Sequence, residues 1–258
     1  MVYKNGPRFK IRNVADIQRD MLEARRIHGD QIRTLFFPAG NTIAMKTKDL
    51  CDICVFARET FPALERITVY GSSQYIHQKG PQDLKRLAQA GLSRIHVGLE
   101  SGDDVVLRRI KKGTHRKEQV EAGQWVREAG IELSEYVILG IGGRERSETH
   151  ARNTATALNA INPDFIRLRT FVPKINTPLL REVREGTFAM LGPHEILRET
   201  EMLIRHLEGS SCLTSDHYTN YINVQGRLPE NQGEMLKQIR SAMTRPADSF
   251  RPFFVGTE

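Results

Sequence analysis

The pattern of apolar and polar positions is clearest between residues 93 and 143. Two apolar runs, residues 94–99 and 133–141, are separated by segments with helical spacing. The first run leads into the turn Glu100-Ser101-Gly102, and the second ends in Gly140-Ile141-Gly142-Gly143. This order predicts strand, helix and strand of a parallel sheet, in which ligands bind where the carboxyl ends of the strands meet the loops. Both turns are therefore expected to face one shared opening at the carboxyl ends of the strands, which we call the mouth.

The same periodicities extend over the rest of the chain. They predict strands at residues 34–37, 66–70, 94–99, 133–141 and 164–170. They predict helices at residues 13–29, 47–61, 81–91, 114–130, 147–161, 193–207 and 231–243, with a short basic helix before residue 114. Asn13, Thr47 and Thr114 are the expected caps. Residues 171–180 are expected to form a proline-broken loop, and the segment after Gly209 is expected to be polar and irregular until the last helix.

The predicted strands alternate with helices and read as apolar on both faces, which is typical of parallel strands covered by helices. The fold class is therefore α/β. Five strands are too few for an eight-stranded barrel. A doubly wound sheet usually carries its glycine fingerprint after the first strand, and this chain does not. Because the chain begins with a helix, its first strand–helix unit looks incomplete.

Composition narrows the class of protein. The chain has 258 residues, of which 39% are hydrophobic and 7% aromatic, so it can bury an ordinary core. No apolar run approaches the length that spans a bilayer. The first residues lack the apolar core of a secretion signal, and three cysteines give no disulfide framework. The expected compartment is the cytoplasm.

The net charge of +7 is concentrated in one segment. Residues 108–117 hold six of the cations: Arg108, Arg109, Lys111, Lys112, Arg116 and Lys117. One interpretation is contact with nucleic acid, and the other is a solvated helix face. On charge alone the solvated face is favoured.

Cys51 and Cys54 form a CxxC pair, but a structural zinc site needs four ligands and Cys212 is distant in sequence. A redox CxxC sits at a helix N-terminus, whereas Cys51 is expected in the second turn and Cys54 in the apolar stripe. We interpret the pair as buried and inert. His96, inside a strand, is interpreted as a satisfied core histidine.

The strand ends carry the remaining candidate chemistry. Glu100 is a carboxylate at the tip of an apolar strand, so it either faces solvent or pairs with a cation or ligand hydroxyl. The glycine turn at residues 140–143 resembles a dinucleotide fingerprint only loosely, but it allows close approach of a flat ligand. The usual hydrolytic and phosphoryl-transfer motifs do not occur in the sequence.

Taken together, these strand ends resemble those of the radical S-adenosylmethionine (SAM) superfamily over roughly residues 1–180. The segment LFFPAGN, residues 35–41, resembles the turn of that family that binds the SAM amino group, with an amide in place of the acidic residue. LRRIKKGT, residues 107–114, resembles a segment whose cation meets the SAM carboxylate. Residues 136–143 resemble the strand and turn beside the adenine, and FVPKINTPL, residues 171–179, resembles a proline-rich segment after the sixth strand.

The resemblance implies a (β/α)6 partial TIM barrel, lacking its first strand, with a C-terminal helical extension. It implies a core over residues 1–180 and a substrate-specificity region over residues 181–258. The implied SAM-binding residues are Gly40, Asn41, Ser72, Glu100, Ser101, Lys112, Tyr136, Gly140 and Ile141.

One departure from the family is larger than the others. The CxxxCxxC motif that holds a [4Fe-4S] cluster on three thiolates is missing from the sequence. In family members it precedes a segment much like Tyr3-Lys4-Asn5-Gly6. We therefore expect the sequence to be truncated at its N-terminus, the cluster to be present only in the intact protein, and the chain as written to be inactive.

The resulting hypothesis is the SAM-binding core of a radical SAM enzyme, nearest to the oxygen-independent coproporphyrinogen oxidase branch. The intact enzyme would cleave SAM reductively to a 5′-deoxyadenosyl radical that takes hydrogen from an unknown substrate. It would draw electrons from a low-potential donor such as flavodoxin or ferredoxin. The alternatives are a non-catalytic protein that binds SAM or another adenosyl ligand, or serves as a scaffold, and an RNA-modifying radical SAM enzyme that contacts phosphate through residues 108–117.

Overall fold

The computed structural model describes residues 10–38 and 40–256. The Tyr3-Lys4-Asn5-Gly6 segment and Ala39 of the 35–41 motif lie outside the described residues. In the described part, the strands β1–β7 are Thr34–Phe37, Arg66–Gly71, Arg94–Glu100, Glu132–Leu139, Phe165–Thr170, Cys212–Thr214 and Gln225–Arg227. The helices α1–α9 are Val14–His28, Thr47–Thr60, Ser73–Gln89, Asp104–Arg109, Arg116–Glu128, Gly143–Ile161, Pro178–Arg184, Pro193–Arg205 and Gln232–Met243.

All seven strands form one sheet whose spatial order is the order of the chain. Strands β1 to β6 are parallel, and β7 pairs antiparallel with β6. Within the described ranges β1 pairs only with β2, so the sheet is not closed. Because every crossover advances in the same direction and such crossovers are right-handed, the helices cover one face of the sheet. This is the architecture of a partial TIM barrel, as predicted.

The two faces of the sheet differ, and here the sequence interpretation was wrong. The strands were expected to be apolar on both faces, but β3 and β5 alternate between buried and partly exposed residues. The helix-covered face carries the core, represented by Ile95, Val97 and Leu168. The opposite face, which we call the inner face, carries polar and aromatic side chains. Its central members are Phe36, Tyr70, His96, Tyr136, Arg167 and Arg169.

Two predicted helix caps are corrected by the structure. Thr47 is the first residue of α2, after Lys46, and its hydroxyl donates to Asp83 at 2.7 Å. The helix α5 begins after His115, whose backbone N–H donates to Glu118 Oε2 at 2.9 Å. Thr114 is buried instead, and its hydroxyl has no hydrogen-bond partner among the described residues. Asn13 caps α1 as predicted, with its side chain accepting from Ala15 N at 2.8 Å.

Several elements differ from the sequence prediction in position or existence. The helix α3 starts before Pro81, at Ser73, and kinks at Gly80, where φ is 71°. Residues 171–180, predicted as a loop, run into α7, which Thr177 caps. The segment after Gly209, predicted to be irregular, supplies β6 and β7. These two strands have three residues each, too few to show a period of two.

Residues 181–256 continue the same sheet and core as the preceding part. Side chains of α8 and α9, including Leu197 and Met235, belong to the same buried cluster as Ile95 and Val97. A loop after β6 returns to the sheet, where Asn220 Nδ2 donates to Leu168 O at 2.9 Å. None of the described helices is long and apolar enough to cross a membrane.

Candidate functional site

Glu100 and Lys112 form an ion pair at the carboxyl end of β3. Lys112 Nζ lies 3.3 Å from Glu100 Oε1, and the two side chains are 17% and 23% exposed. Glu100 has a φ of 63° and sits at a register shift between β3 and β4. Gly98 makes room for the pair, because a Cβ there would overlap Glu100 Oε1 and approach Lys112 Nζ to 3.1 Å. Of the two options left open for Glu100, the structure shows pairing with a cation.

Asn41 and Ser72 join the ends of β1 and β2. Asn41 Nδ2 donates to Ser72 Oγ at 2.9 Å, and Ser72 N donates to Asn41 Oδ1 at 3.2 Å. Both residues are partly exposed, and Gly40 before them has a φ of 66° with open space where a Cβ would be. The positive φ explains why this turn uses glycine. These polar groups lie at the same edge of the sheet as Glu100 and Lys112, since the strands are parallel.

Ser101 is fully buried and takes part in a polar network beneath the mouth. Its Oγ lies 2.8 Å from His150 Nδ1 and accepts from Asp103 N at 3.0 Å. His150 Nε2 lies 3.6 Å from Glu199 Oε1, which accepts from Gly140 N at 2.6 Å. This chain of contacts connects the turn after β3 to the turn after β4 through α6 and α8. The two turns predicted to share a mouth are therefore tied together.

Gly140 and Ile141 are buried below the surface of that mouth. Gly140 has a φ of 77°, and a Cβ there would come within 2.6 Å of Ile196 Cδ1. Ile141 is 4% exposed. The space left by the missing side chain of Gly140 is therefore occupied by Ile196 of α8. Contact of these two residues with SAM stays a prediction.

Tyr136 lies on the inner face, directly opposite Gly98 in the β3–β4 register. Its ring centroid is 5.8 Å from that of His96, which in turn lies 5.7 Å from that of Tyr70. On its other side, the Arg169 guanidinium lies 4.5 Å from the Tyr136 ring centroid. Tyr70, His96, Tyr136 and Arg169 therefore form a row of aromatic and cationic groups on the inner face, at the base of the mouth.

His96 differs from the satisfied core histidine that was expected. In the described structure its Nδ1 is buried without a hydrogen-bond partner. Its pKa is lowered to about 4, mainly by burial and further by the nearby guanidinium groups of Arg167 and Arg94. The ring is therefore neutral at physiological pH.

Glu135 is a buried carboxyl group that the sequence analysis did not identify. It is 1% exposed, and burial raises its pKa to about 8, with Lys112 opposing the shift and Glu100 adding to it. A protonated acid thus lies behind the Glu100–Lys112 pair. A single glutamate in an otherwise apolar run was the available signal.

The three cysteines of the chain do not form one cluster. Cys51 and Cys54 lie on α2, Cys212 lies on β6, and all are free thiols. Cys54 is fully buried, and burial raises its pKa to about 12, which fits the expected core position. Cys51 was also expected to be buried, but it is partly exposed, because it lies beside the apolar stripe of α2 and not within it. No three His, Cys, Asp or Glu side chains in residues 10–38 and 40–256 are grouped to hold a metal ion.

The basic segment at residues 108–117 is partly neutralised. Arg109 pairs with Glu182 at 2.6 Å, and Lys112 pairs with Glu100. Lys117 lies 3.9 Å from Glu121. Arg108 and Lys111 are exposed. Much of the local charge therefore serves contacts within the chain.

Comparison with known proteins identifies the family. Residues 1–153 match the Radical SAM superfamily. The chain belongs to the radical SAM superfamily. No curated protein matches the sequence.

Several solved structures share the fold at low sequence identity. The Elp3 structure from the archaeon Methanocaldococcus infernus, with an N-terminal deletion, is similar over 90% of this chain, with a TM-score of 0.59 and 11% identity. Methylornithine synthase (PylB) is similar over 95% of the chain, with a TM-score of 0.55 and 14% identity. Coproporphyrinogen III oxidase (HemN) from Escherichia coli covers 76%, with a TM-score of 0.54 and 15% identity.

The chain is shorter than these relatives. It spans 59% of the Elp3 chain, 76% of PylB and 47% of HemN. At such identities the likeness shows the fold, and activity and substrate need their own arguments from this chain.

Membership of the radical SAM superfamily implies SAM and a [4Fe-4S] cluster in an intact enzyme. The groups at the mouth fit SAM, because a carboxylate, an ammonium and an amide face one edge of the sheet. The cluster does not fit this chain, because its three cysteines lie on α2 and β6 and do not meet.

Proposed function

We propose that this chain is the SAM-binding core of a radical SAM enzyme and that SAM binds at the ends of β1 to β4. The observation that carries the proposal is the Glu100–Lys112 pair, which is held over Gly98 at the mouth. SAM carries an ammonium, a carboxylate, a sulfonium and an adenosine group. A preorganised pair of opposite charges offers partners for the ammonium or ribose hydroxyls and for the carboxylate.

Each predicted site residue has a proposed role that agrees with its exposure. Lys112 would bind the SAM carboxylate, and Glu100 would accept from the ammonium or the ribose. Asn41 and Ser72, which lie beside the open space at Gly40, would bind the amino group of SAM. Tyr136 would contact the face of the ligand from the floor of the mouth.

The buried candidates have a positioning role in this proposal. Ser101 connects to His150, and Gly140 connects to Glu199, so both lie behind the mouth and fix its shape. Ile141 packs in the same layer. These residues would affect SAM binding through the turns that they hold.

In radical SAM enzymes the cluster supplies the electron that cleaves SAM to a 5′-deoxyadenosyl radical. The cysteines of this chain do not form the required three-thiolate set, so no step of that reaction is assigned to its residues. We propose that these 258 residues alone bind SAM without cleaving it. Flavodoxin or ferredoxin as the electron donor remains a proposal from the family resemblance. The cytoplasm as the compartment remains a proposal from the sequence, which has no apolar secretion-signal core and no disulfide framework.

A second candidate function is non-catalytic binding of SAM or another adenosyl ligand. The separation of the three cysteines favours it, because a protein that only binds SAM needs no cluster. RNA modification is less favoured, because Arg109, Lys112 and Lys117 are engaged by carboxylates of the chain.

The proposal is tested by calorimetric titration of the 258-residue protein with SAM, with ATP as a control that shares the adenosine. Saturable binding of one SAM per chain, with much weaker binding of ATP, is the expected result. Absence of SAM binding contradicts the proposal. In parallel, anaerobic incubation with iron, sulfide, a reductant and SAM is expected to yield no stoichiometric four-iron cluster and no 5′-deoxyadenosine. Formation of either would contradict the inference about the cysteines.

A further inference from the structure

A cleft of about 320 Å³ lies on the inner face beside Tyr136. The sheet contributes Tyr136, Arg167 and Arg169 to its wall, and the loop after β6 contributes Asp216, His217 and Tyr218. The cleft therefore joins the floor of the proposed SAM site on one side and the C-terminal part of the chain on the other. Its volume suits a small molecule.

Two arginines in the cleft have no ion-pair or hydrogen-bond partner. In the part of the chain that the structure describes, neither Arg167 nor Arg169 forms an ion pair or a hydrogen bond through its side chain, although Arg169 stacks on the Tyr136 ring, and Arg167 Nε is buried. The contrast is Arg94 on the same face, which pairs with Glu132 at 2.7 Å. Leaving a buried charged donor unpaired is costly, so an acceptor is expected at Arg167.

The cleft has an excess of positive charge that nearby acids do not cancel. Asp216 lies at its rim, is exposed and makes a 3.4 Å contact with Thr214 Oγ1. His217 has a lowered pKa, first because of burial and then because of Arg169, with Asp216 opposing. His96 responds to the same guanidinium groups. The geometry and the charge both favour an anion.

We propose that the cleft binds an oxyanion group, carboxylate or phosphate, of the substrate, held by Arg167 and Arg169. A guanidinium presents its donors in a planar fork that matches both groups. This inference rests on the proposed function, because it places the anionic end of the substrate beside the SAM site. The register supports that placement, since Tyr136 borders the cleft and lies opposite Gly98, over which Glu100 and Lys112 meet.

The test is calorimetric titration with two probe anions, glutarate and glycerol 3-phosphate, and with neutral glutaramide. Saturable binding of either anion, with no binding of glutaramide, is the expected result, and the tighter anion identifies carboxylate or phosphate. Arg167→Gln and Arg169→Gln are each expected to weaken binding by roughly tenfold or more, as for loss of charge-assisted hydrogen bonds. Arg25→Gln, an exposed arginine of α1, is the matched control and is expected to leave binding unchanged.

The outcomes separate this inference from the proposed function. Failure of both anions to bind the wild-type protein overturns the inference, and so does equal binding by the wild type and both cleft variants. Equal weakening by Arg25→Gln would also overturn it, because it would indicate nonspecific attraction.

SAM is titrated into the same variants. Loss of anion binding with retained SAM binding in Arg167→Gln supports the inference. Anion binding without any SAM binding refutes only the proposed function. Circular dichroism of each variant checks that it is folded, and the wild-type titrations stand independently of the variants.

Discussion

Ser101 Oγ and His150 Nδ1 lie 2.8 Å apart in a fully buried contact between the turn after β3 and the helix α6. The other ring nitrogen of His150 faces Glu199 of α8. Glu199 in turn accepts from Gly140 N and from Ser147 Oγ. One histidine therefore links the loops that follow two adjacent strands. Its position fixes the relative geometry of the two turns at the mouth.

Replacing this histidine is expected to destabilise the protein. His150→Ala leaves Ser101 and Glu199 buried with fewer partners, which costs on the order of 3 kcal/mol in free energy of unfolding. Denaturant unfolding measures the loss. His28→Ala, at an exposed position of α1, is the control and is expected to change stability by less than about 0.5 kcal/mol. Equal losses in both variants would contradict the structural role of the network.

Gly98→Ala is expected to weaken SAM binding more than it changes stability. A Cβ at residue 98 occupies the space of the Glu100 carboxylate and forces the pair with Lys112 to move. The side-chain end can shift, so we expect a fall in SAM affinity of about tenfold, as for loss of one charged hydrogen bond. Calorimetric titration of the variant with SAM checks this. Gly233→Ala in α9, where a Cβ meets nothing within 4 Å, is the control. Unchanged affinity in Gly98→Ala would show that the pair does not bind SAM.

Glu135 gives the stability of the protein a dependence on pH. Its pKa is raised from the usual 4.5 to about 8 by burial, so the folded chain holds one proton more than the unfolded chain between these values. The free energy of unfolding therefore decreases as pH rises through that window, by up to about 1.4 kcal/mol per pH unit from this group.

The variant that isolates this effect is Glu135→Gln. Glutamine keeps the shape of the side chain but does not titrate. The stability of the variant is therefore expected to fall less between pH 5 and about pH 8 than that of the wild type. Glu199 also has a raised pKa and contributes with the same sign in both proteins, so the difference between them reports Glu135. Parallel stability curves for the two proteins would contradict the assignment.

Substitution of Asn41 changes the charge at the place where the SAM ammonium group is proposed to bind. Asn41→Asp keeps an acceptor for Ser72 N and places a carboxylate where the SAM ammonium is proposed to bind. A charge-assisted hydrogen bond is roughly twice as strong as a neutral one, so SAM is expected to bind about three- to tenfold more tightly. Asn41→Ala is expected to bind SAM more weakly. Titration of both variants with SAM decides the matter. If neither variant differs from the wild type, the turn does not contact the ligand.

Much of the fold could be predicted from the sequence because long apolar runs report buried parallel strands. The first five strands, the parallel arrangement and the convergence of the turns after β3 and β4 are confirmed. The short strands β6 and β7 could not be found, because three residues do not establish a periodicity. The helix α7 was missed because Pro173 before it and Pro178 at its first position indicated a loop.

The site was predictable only at the strand ends. Glu100 was identified because a carboxylate after an apolar run is unusual, but its pairing with Lys112 depends on the fold around Gly98. Arg167 and Arg169 alternate with apolar residues in β5, and that alternation was a usable signal of a polar inner face. His150 and Glu199 stand on surfaces of helices that give no sign of a buried network in sequence, because their partners are more than 45 residues away.

The central claim is that Lys112 and Glu100 bind SAM at the mouth of the sheet. Its most direct test is calorimetric titration of SAM into the wild type, Lys112→Met and Lys111→Met. The neighbouring Lys111 is exposed, so its variant makes the same chemical change outside the pair. We predict saturable binding to the wild type and to Lys111→Met, with at least about tenfold weaker binding to Lys112→Met, the expected cost of a charged hydrogen bond. Equal SAM affinity in all three proteins would contradict the account.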